Sequence, residues 1–235
     1  GGSIFWALVD RIDTKLDAAF LDLDGEVTGL LFNKDVLIKD KDNKITKGGQ
    51  TSIGKSLSSG QYILVQAKQS YLEPEYEDGR DYEDKCPVMS MDIAIQGRYM
   101  IHTPMAHVNR ISSRIRDKKL RKQLEDMMVS LSDVEGFILR AAAANTQSDV
   151  LIREAKILTA IWEGLSEYAK GDESILIMEG PDALQRSLSD NSLRPIRRIE
   201  VVILDHFNTA EDWCELFAPD LVTRVKPVEI KDATS

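Results

Sequence analysis

The feature that most constrains the fold of this chain is a change of hydrophobic pattern near residue 97. Before it, apolar residues come in short runs separated by turn formers. Ile4 to Asp10, Ala18 to Leu23, Gly29 to Phe32, Gln61 to Ala67 and Val88 to Ala94 are five such runs, and each reads as a strand. The loops between them are uneven, with long ones at 33–60 and 70–87. Five short strands in under a hundred residues fit a small closed barrel of the OB type over 1–94. After residue 97, helical spacing takes over. Arg116 to Leu131 carries Leu120, Leu124, Met127, Met128 and Leu131 between charges, and Ser148 to Tyr168 places Val150, Leu151, Ala155, Leu158, Ile161, Trp162 and Leu165 on one face. Short apolar runs at Gly136–Arg140, Ile175–Met178 and Ile199–Leu204 alternate with helices, two more of which are predicted at Asp182–Leu188 and Thr209–Phe217. Residues 95–235 therefore read as an α/β layer region, and the whole chain as α+β.

Charge decides what such a barrel can bind, and its distribution matters more than its sum. The net charge is −9 over 235 residues, against the basic surplus expected of a nucleic-acid binder. Tyr71 to Asp84, however, holds seven acids and one base, six of those nine charges. Arg110 to Lys122 has the opposite character: Arg110, Arg114, Arg116, Lys118, Lys119, Arg121 and Lys122 stand against Asp117 alone. No apolar stretch is long enough to span a membrane, and no secretory signal opens the chain. Cys86 and Cys214 have neither disulfide-framework nor zinc spacing. A reducing compartment, the cytoplasm or an organelle interior, is the expectation.

Catalytic signatures are absent from the sequence. Gly49-Gln50-Thr51-Ser52-Ile53-Gly54-Lys55-Ser56 matches the phosphate-loop pattern, but that loop needs a buried strand before it and a helix after it. The polar run Lys39 to Lys44 precedes it and Ser58-Ser59-Gly60 follows, so a solvated barrel loop is the better reading. His102, His107 and His206 are scattered, no nucleophile motif occurs, and the acid pairs Asp10/Asp13 and Asp22/Asp24 fall at turns. On the barrel, Phe20 and Phe32, with Arg11 and Lys15 nearby, are candidates for stacking and tracking a single strand. The alternative is that both rings simply fill the barrel.

The order of local patterns carries more than any one of them. Ser3-Ile4-Phe5, Val9-Asp10-Arg11-Ile12, Leu16-Asp17-Ala18-Ala19-Phe20-Leu21-Asp22 and Gly29-Leu30-Leu31 resemble the opening of the RNA-binding barrel of ribonuclease E/G proteins. Gly60 to Gln66 is similar to that family's G-Q-x-V-x-V-Q, and Ile95 to Pro104 to its L-x-G-R-Y-L-V-L-M-P. Arg110 to Ile115 resembles the S-R-R-I region, Gly136 to Ala142 the G-x-I-V-R-T-A segment, and Leu158 to Trp162 a helix ending in Trp. The likeness is colinear over nearly the whole chain.

The resemblance implies a ribosomal-S1-like barrel followed by a 5′-sensor and ribonuclease-H-like region, with single-stranded RNA as partner. It makes Phe20 a stacking aromatic, Lys85 an RNA contact, and Gly97, Ile101 and Arg140 a 5′-monophosphate pocket; Arg11 beside the barrel aromatics and Arg110 and Arg114 in the basic stretch join them as expected RNA contacts on charge. Ala141 stands where the family has Thr, a loss of about 1 kcal/mol of hydrogen bonding, and Leu30 where it has a second Phe. The acidic run replaces a short basic loop, which suggests a basic protein as a second partner for 71–84. Family members cut RNA with magnesium held by two Asp residues beyond the R-V-x-L-Y segment, which Arg224 to Val228 resembles. The expectation is thus RNA binding with no catalytic or metal residues in this chain, no cofactor here, and magnesium in a full-length relative. The rivals are an active endoribonuclease whose carboxylates lie elsewhere in the full protein, and a scaffold that has exchanged RNA for a protein partner.

Overall fold

The structure is a computed structural model that describes residues 2–68 and 86–180. The chain divides into two compact units, with boundaries at Ile93/Ala94 and Ser166/Glu167.

In the first unit, β1 (Ile4–Asp13), β2 (Ala18–Asp22) and β3 (Thr28–Phe32) form an antiparallel meander. Carboxylates build its turns: Asp13 Oδ1 accepts the N–H groups of Lys15 and Leu16, and Asp22 and Asp24 do the same for Gly25, Glu26 and Val27. A hairpin of β4 (Leu37–Lys39) and β5 (Ile45–Lys47) follows, inside what reads in the sequence as a plain loop. Then β6 (Tyr62–Ala67) pairs with β1, and β7 (Met89–Ser90) pairs with β6. A parallel bridge from Leu30 to Val88 brings β3 against β7, so the order β3-β2-β1-β6-β7 nearly closes into a five-strand barrel that fits an OB-like fold.

Alternation explains which side chains fill it. Ala7, Val9, Ala19, Leu21, Leu31, Ile63 and Val65 point inward and are buried in one cluster, with Phe5 and Ile12 packed against it. Val9 and Ile12 would fall on opposite faces of a regular strand. A register shift between Val9 and Arg11 inserts the extra residue that returns Ile12 to the interior. The strand expected over Val88–Ala94 is shorter than its alternation suggests. Beyond Ser90 the chain bends, because Ser90 Oγ accepts the Asp92 N–H and the Met91 N–H turns to the Asp35 carbonyl.

The phosphate-loop lookalike is a barrel loop. Its own second half forms only a single 3-10 turn, Ile53–Lys55, with Ile53 fully buried. The Asp17 carboxylate accepts the Ile53 N–H at 3.0 Å and the Asn33 amide at 2.8 Å, so a fixed acid occupies the position of the would-be anion.

In the second unit, a four-stranded sheet has the order β10-β11-β9-β8, from β8 (Ile95–Gln96), β9 (Met100–His102), β10 (Arg110–Ile111) and β11 (Phe137–Leu139). Helix α1 (Lys118–Met128) begins at Asp117, whose side chain caps the N–H groups of Lys119 and Leu120. That cap excludes Arg116 from the helix, and a 3-10 turn, Val129–Leu131, completes the amphipathic segment. Helix α2 (Ser148–Tyr168) has the bounds its periodicity predicts; Leu151, Ala155, Leu158, Ile161 and Leu165 are buried, and so is Glu154. No described helix is long and apolar enough to cross a membrane.

After α2, β12 (Ile175–Met178) belongs to the first unit and pairs antiparallel with the start of β1. The elements expected at 182–188, 199–204 and 209–217 lie outside the described residues, as do the acidic run, Lys85, His206, Cys214 and the 224–228 segment.

Candidate nucleic-acid interface

On the first unit, the outward residues of β1, β2 and β3 align Arg11, Phe20 and Leu30 in one cross-strand row. Phe20 is only 4% exposed, and the Arg11 guanidinium lies 4.0 Å over its ring centroid. Such a cation–π contact leaves that ring face covered, so a base stacks on Phe20 only if Arg11 swings away. Phe32, one row along, has the Lys34 ammonium 6.0 Å from its centroid. The same strand faces carry a second aromatic pair that the sequence reading missed. Trp6 and Tyr62 stack with centroids 6.0 Å apart, and their polar tips are tied to the Gly171 and Asp172 carbonyls. Those bonds hold the pair against a loop of the same unit.

On the second unit, the geometry centres on the turn joining β8 to β9. Gly97 N donates to the Met100 carbonyl at 2.7 Å. In a two-residue turn, the return bond from the Met100 N–H to the Gly97 carbonyl would complete the pair. Here two side chains take those groups instead. Arg140 Nη1 donates to the Gly97 carbonyl at 2.7 Å, and Glu154 accepts from Tyr99 N at 3.1 Å and from Met100 N at 3.4 Å. The Arg140 N–H also donates to the Tyr99 carbonyl at 2.8 Å, which pins the end of β11 to the turn.

Glu154 is 1% exposed. Burial pushes its carboxyl up to about 7, against the opposing pull of the turn's N–H groups and the Arg140 charge. A Cβ at Gly97 would collide with the Glu154 carboxylate and crowd the Met100 carbonyl. His102 is structural: it is buried, stacks on Phe137 at 4.4 Å, and its Nδ1 lies 3.0 Å from the Gly136 carbonyl. Burial holds its imidazole below the usual histidine range.

The basic stretch lies at the same end of this sheet. Strands β10 and β11 run parallel, so Ser112 to Arg116, which follow β10, emerge beside Arg140, which follows β11. Helix α1 then packs beside the 3-10 turn Ala141–Asn145 that Arg140 leads into. Arg121 is used internally, donating to the Ser112 and Ile115 carbonyls. Arg110, Arg114, Arg116, Lys118, Lys119 and Lys122 are exposed and form no ion pair with a described residue. Arg98, on the turn itself, is exposed beside Tyr99. Lys118 and Lys119 occupy the first turn of α1, where the helix dipole disfavours cations, and the capping Asp117 is the one acid at that helix end.

The structure therefore brings Gly97 and Arg140 into direct contact, places Ile101 on the adjoining strand, and sets Arg110 and Arg114 at the same sheet. Phe20 and Arg11 meet on the other unit, and Lys85 lies outside the described residues. Glu154 was absent from the sequence-based candidates. The signal for it was an acid at an apolar position of α2, between Leu151 and Leu158.

Comparison with known proteins agrees with these motifs. The sequence profile of the Ribonuclease E/G family matches residues 94–234. Ribonuclease E of Haemophilus influenzae is 25% identical over 228 residues, 95% of this chain and 23% of that protein. Ribonuclease G of Salmonella typhimurium is 24% identical, across 96% of this chain and 45% of its own length. Ribonuclease E of Synechocystis sp. is 28% identical, across 85% of this chain and 28% of its own. The chain thus spans less than half the length of these relatives. With more than half its own length matched by the family profile, the chain belongs to the ribonuclease E/G family.

Proposed function

We propose that these residues are an RNA-binding portion of a ribonuclease E/G-type endoribonuclease acting in RNA processing or decay. On this reading the barrel is an S1-like OB fold, and the second unit begins a 5′-sensor whose pocket takes the terminal monophosphate of single-stranded RNA. The observation that carries it is the juxtaposition at one sheet end: Arg140, held by one nitrogen on the Gly97 carbonyl, beside a group of exposed cations without protein partners among the described residues. The rest of the guanidinium is available to a phosphate, which Arg recognises by paired charge-assisted bonds. Lys118 and Lys119 support the same reading, since cations at a helix N-terminus oppose the stability of their own helix. The magnesium-dependent cutting step is assigned to other residues of the full-length protein, and its setting to the cytoplasm or an organelle interior.

The test is a titration of the chain with single-stranded RNA carrying a 5′-monophosphate or a 5′-hydroxyl. The monophosphate form is expected to bind more tightly, and Arg140→Ala to erase the difference. Equal affinity of the unmutated chain for both ends removes the sensor reading.

A further inference from the structure

Glu154 is a buried acid whose oxygens are directed at peptide N–H groups rather than at a cation. It lies on the apolar face of α2, 1% exposed, fifty-odd residues from the turn it meets. A carboxyl group in that position stabilises the fold less readily than an aliphatic side chain of its size, because removing it from water is costly. Its presence calls for an account in terms of what it holds in place.

What it holds is the turn from Gly97 to Met100. By accepting from Tyr99 and Met100, Glu154 withdraws the N–H that would otherwise close onto the Gly97 carbonyl. The side-chain hydrogen bond to that carbonyl comes from Arg140 Nη1, at 2.7 Å. Arginine carries five N–H donors in a rigid plane, so anchoring one nitrogen sets the direction of the others. The missing side chain at Gly97 belongs to the same device, since a Cβ there would meet the Glu154 carboxylate.

We propose that Glu154 is the positioning residue of the phosphate pocket: it shapes the Gly97–Met100 turn so that the Gly97 carbonyl orients the Arg140 guanidinium toward a 5′-terminal phosphate. This rests on the 5′-monophosphate reading above and adds to it the buried residue that sets the selectivity. Glu154 itself does not touch the RNA. Its removal lowers discrimination between 5′ ends, not the affinity contributed by the exposed cations.

The experiment compares the native chain, Glu154→Gln and Glu154→Asp. Kd is measured for one single-stranded RNA with either 5′ end, and folding is checked by circular dichroism and thermal melting. The native preference for the monophosphate is expected to be about tenfold, the contribution of one charge-assisted pair. Glu154→Gln keeps one acceptor oxygen but replaces the other with an amide donor facing the turn's N–H groups. It is expected to bring the preference close to one while affinity for 5′-hydroxyl RNA is unchanged; Glu154→Asp, which keeps the carboxylate, should restore part of it. A folded Glu154→Gln chain with the native preference overturns the positioning role and leaves the pocket reading standing. So does an equal loss of affinity for both RNAs. If Glu154→Gln does not fold, Glu154→Asp decides: a reduced preference supports the role, and a full one overturns it. A native chain that does not distinguish the two ends removes the pocket reading and the positioning role with it.

Discussion

Gly97 and Glu154 are mutually dependent, because a Cβ at 97 would sit where the Glu154 carboxylate accepts from the turn. An alanine at 97 would force the carboxylate off the turn, and displacing packed atoms costs about 1–3 kcal/mol. Urea unfolding of Gly97→Ala is expected to show that loss, with 5′-end discrimination falling alongside it. Glu154 also gives stability a pH dependence of its own. Its folded carboxyl titrates near 7, above the 4.5 of an unperturbed glutamate, so between those values the folded state holds the proton more tightly than the unfolded chain. The contribution is present at and below about pH 4.5 and is lost as pH rises through 7, by up to about 3 kcal/mol. Denaturation midpoints at pH 5 and pH 8 should differ less for Glu154→Gln than for the native chain; equal pH dependence of the two would contradict this account. The acid was visible in the sequence only as an interruption of the apolar face of α2. Its partner was not visible, because the spacing of 151, 154, 155 and 158 says which residues face inward and nothing about what they meet there.

At the scale of elements, α1 allows stability to be tested apart from the proposed binding. Its capping residue, Asp117, satisfies two free N–H groups, and Asp117→Ala is expected to cost about 1 kcal/mol in urea unfolding. Its cations behave in the opposite way. Replacing Lys118, Lys119 and Lys122 by alanine should leave the fold intact or slightly firmer, since two of them oppose the helix dipole. The same change should reduce the salt dependence of RNA binding by about two units of log Kd against log salt, as expected for three phosphate contacts on a single strand. An unchanged slope would move the RNA path away from α1. This helix was legible in the sequence from its periodicity, but the cap shortened it at Arg116. The β4–β5 hairpin was not legible, because three-residue strands carry too little alternation to stand out from a polar loop. The long helix α2 was legible to the residue.

Across the whole molecule, opposite charges are segregated along the chain, with the acidic run at 71–84 and the basic one at 110–122. Seven acids in one run would repel phosphate, so deleting 71–84 should strengthen RNA binding, most of all at low salt where repulsion is least screened. An affinity that does not change would remove any screening role for it. Sequence by itself determined most of the described strand and helix runs and the family, and it drew attention to Gly97 and Arg140, because periodicity and motif order are properties of neighbouring residues. Only the tertiary structure decided that β12 pairs with β1, that Arg11 covers Phe20, that Asp17 fills the phosphate-loop lookalike, and that Glu154 and Arg140 share one turn. Apart from Arg11 and Phe20, these groups meet across long separations in sequence, and even those two lie on paired strands. Their meeting is set by strand register and helix packing, which depend on the whole of each unit and not on any local pattern.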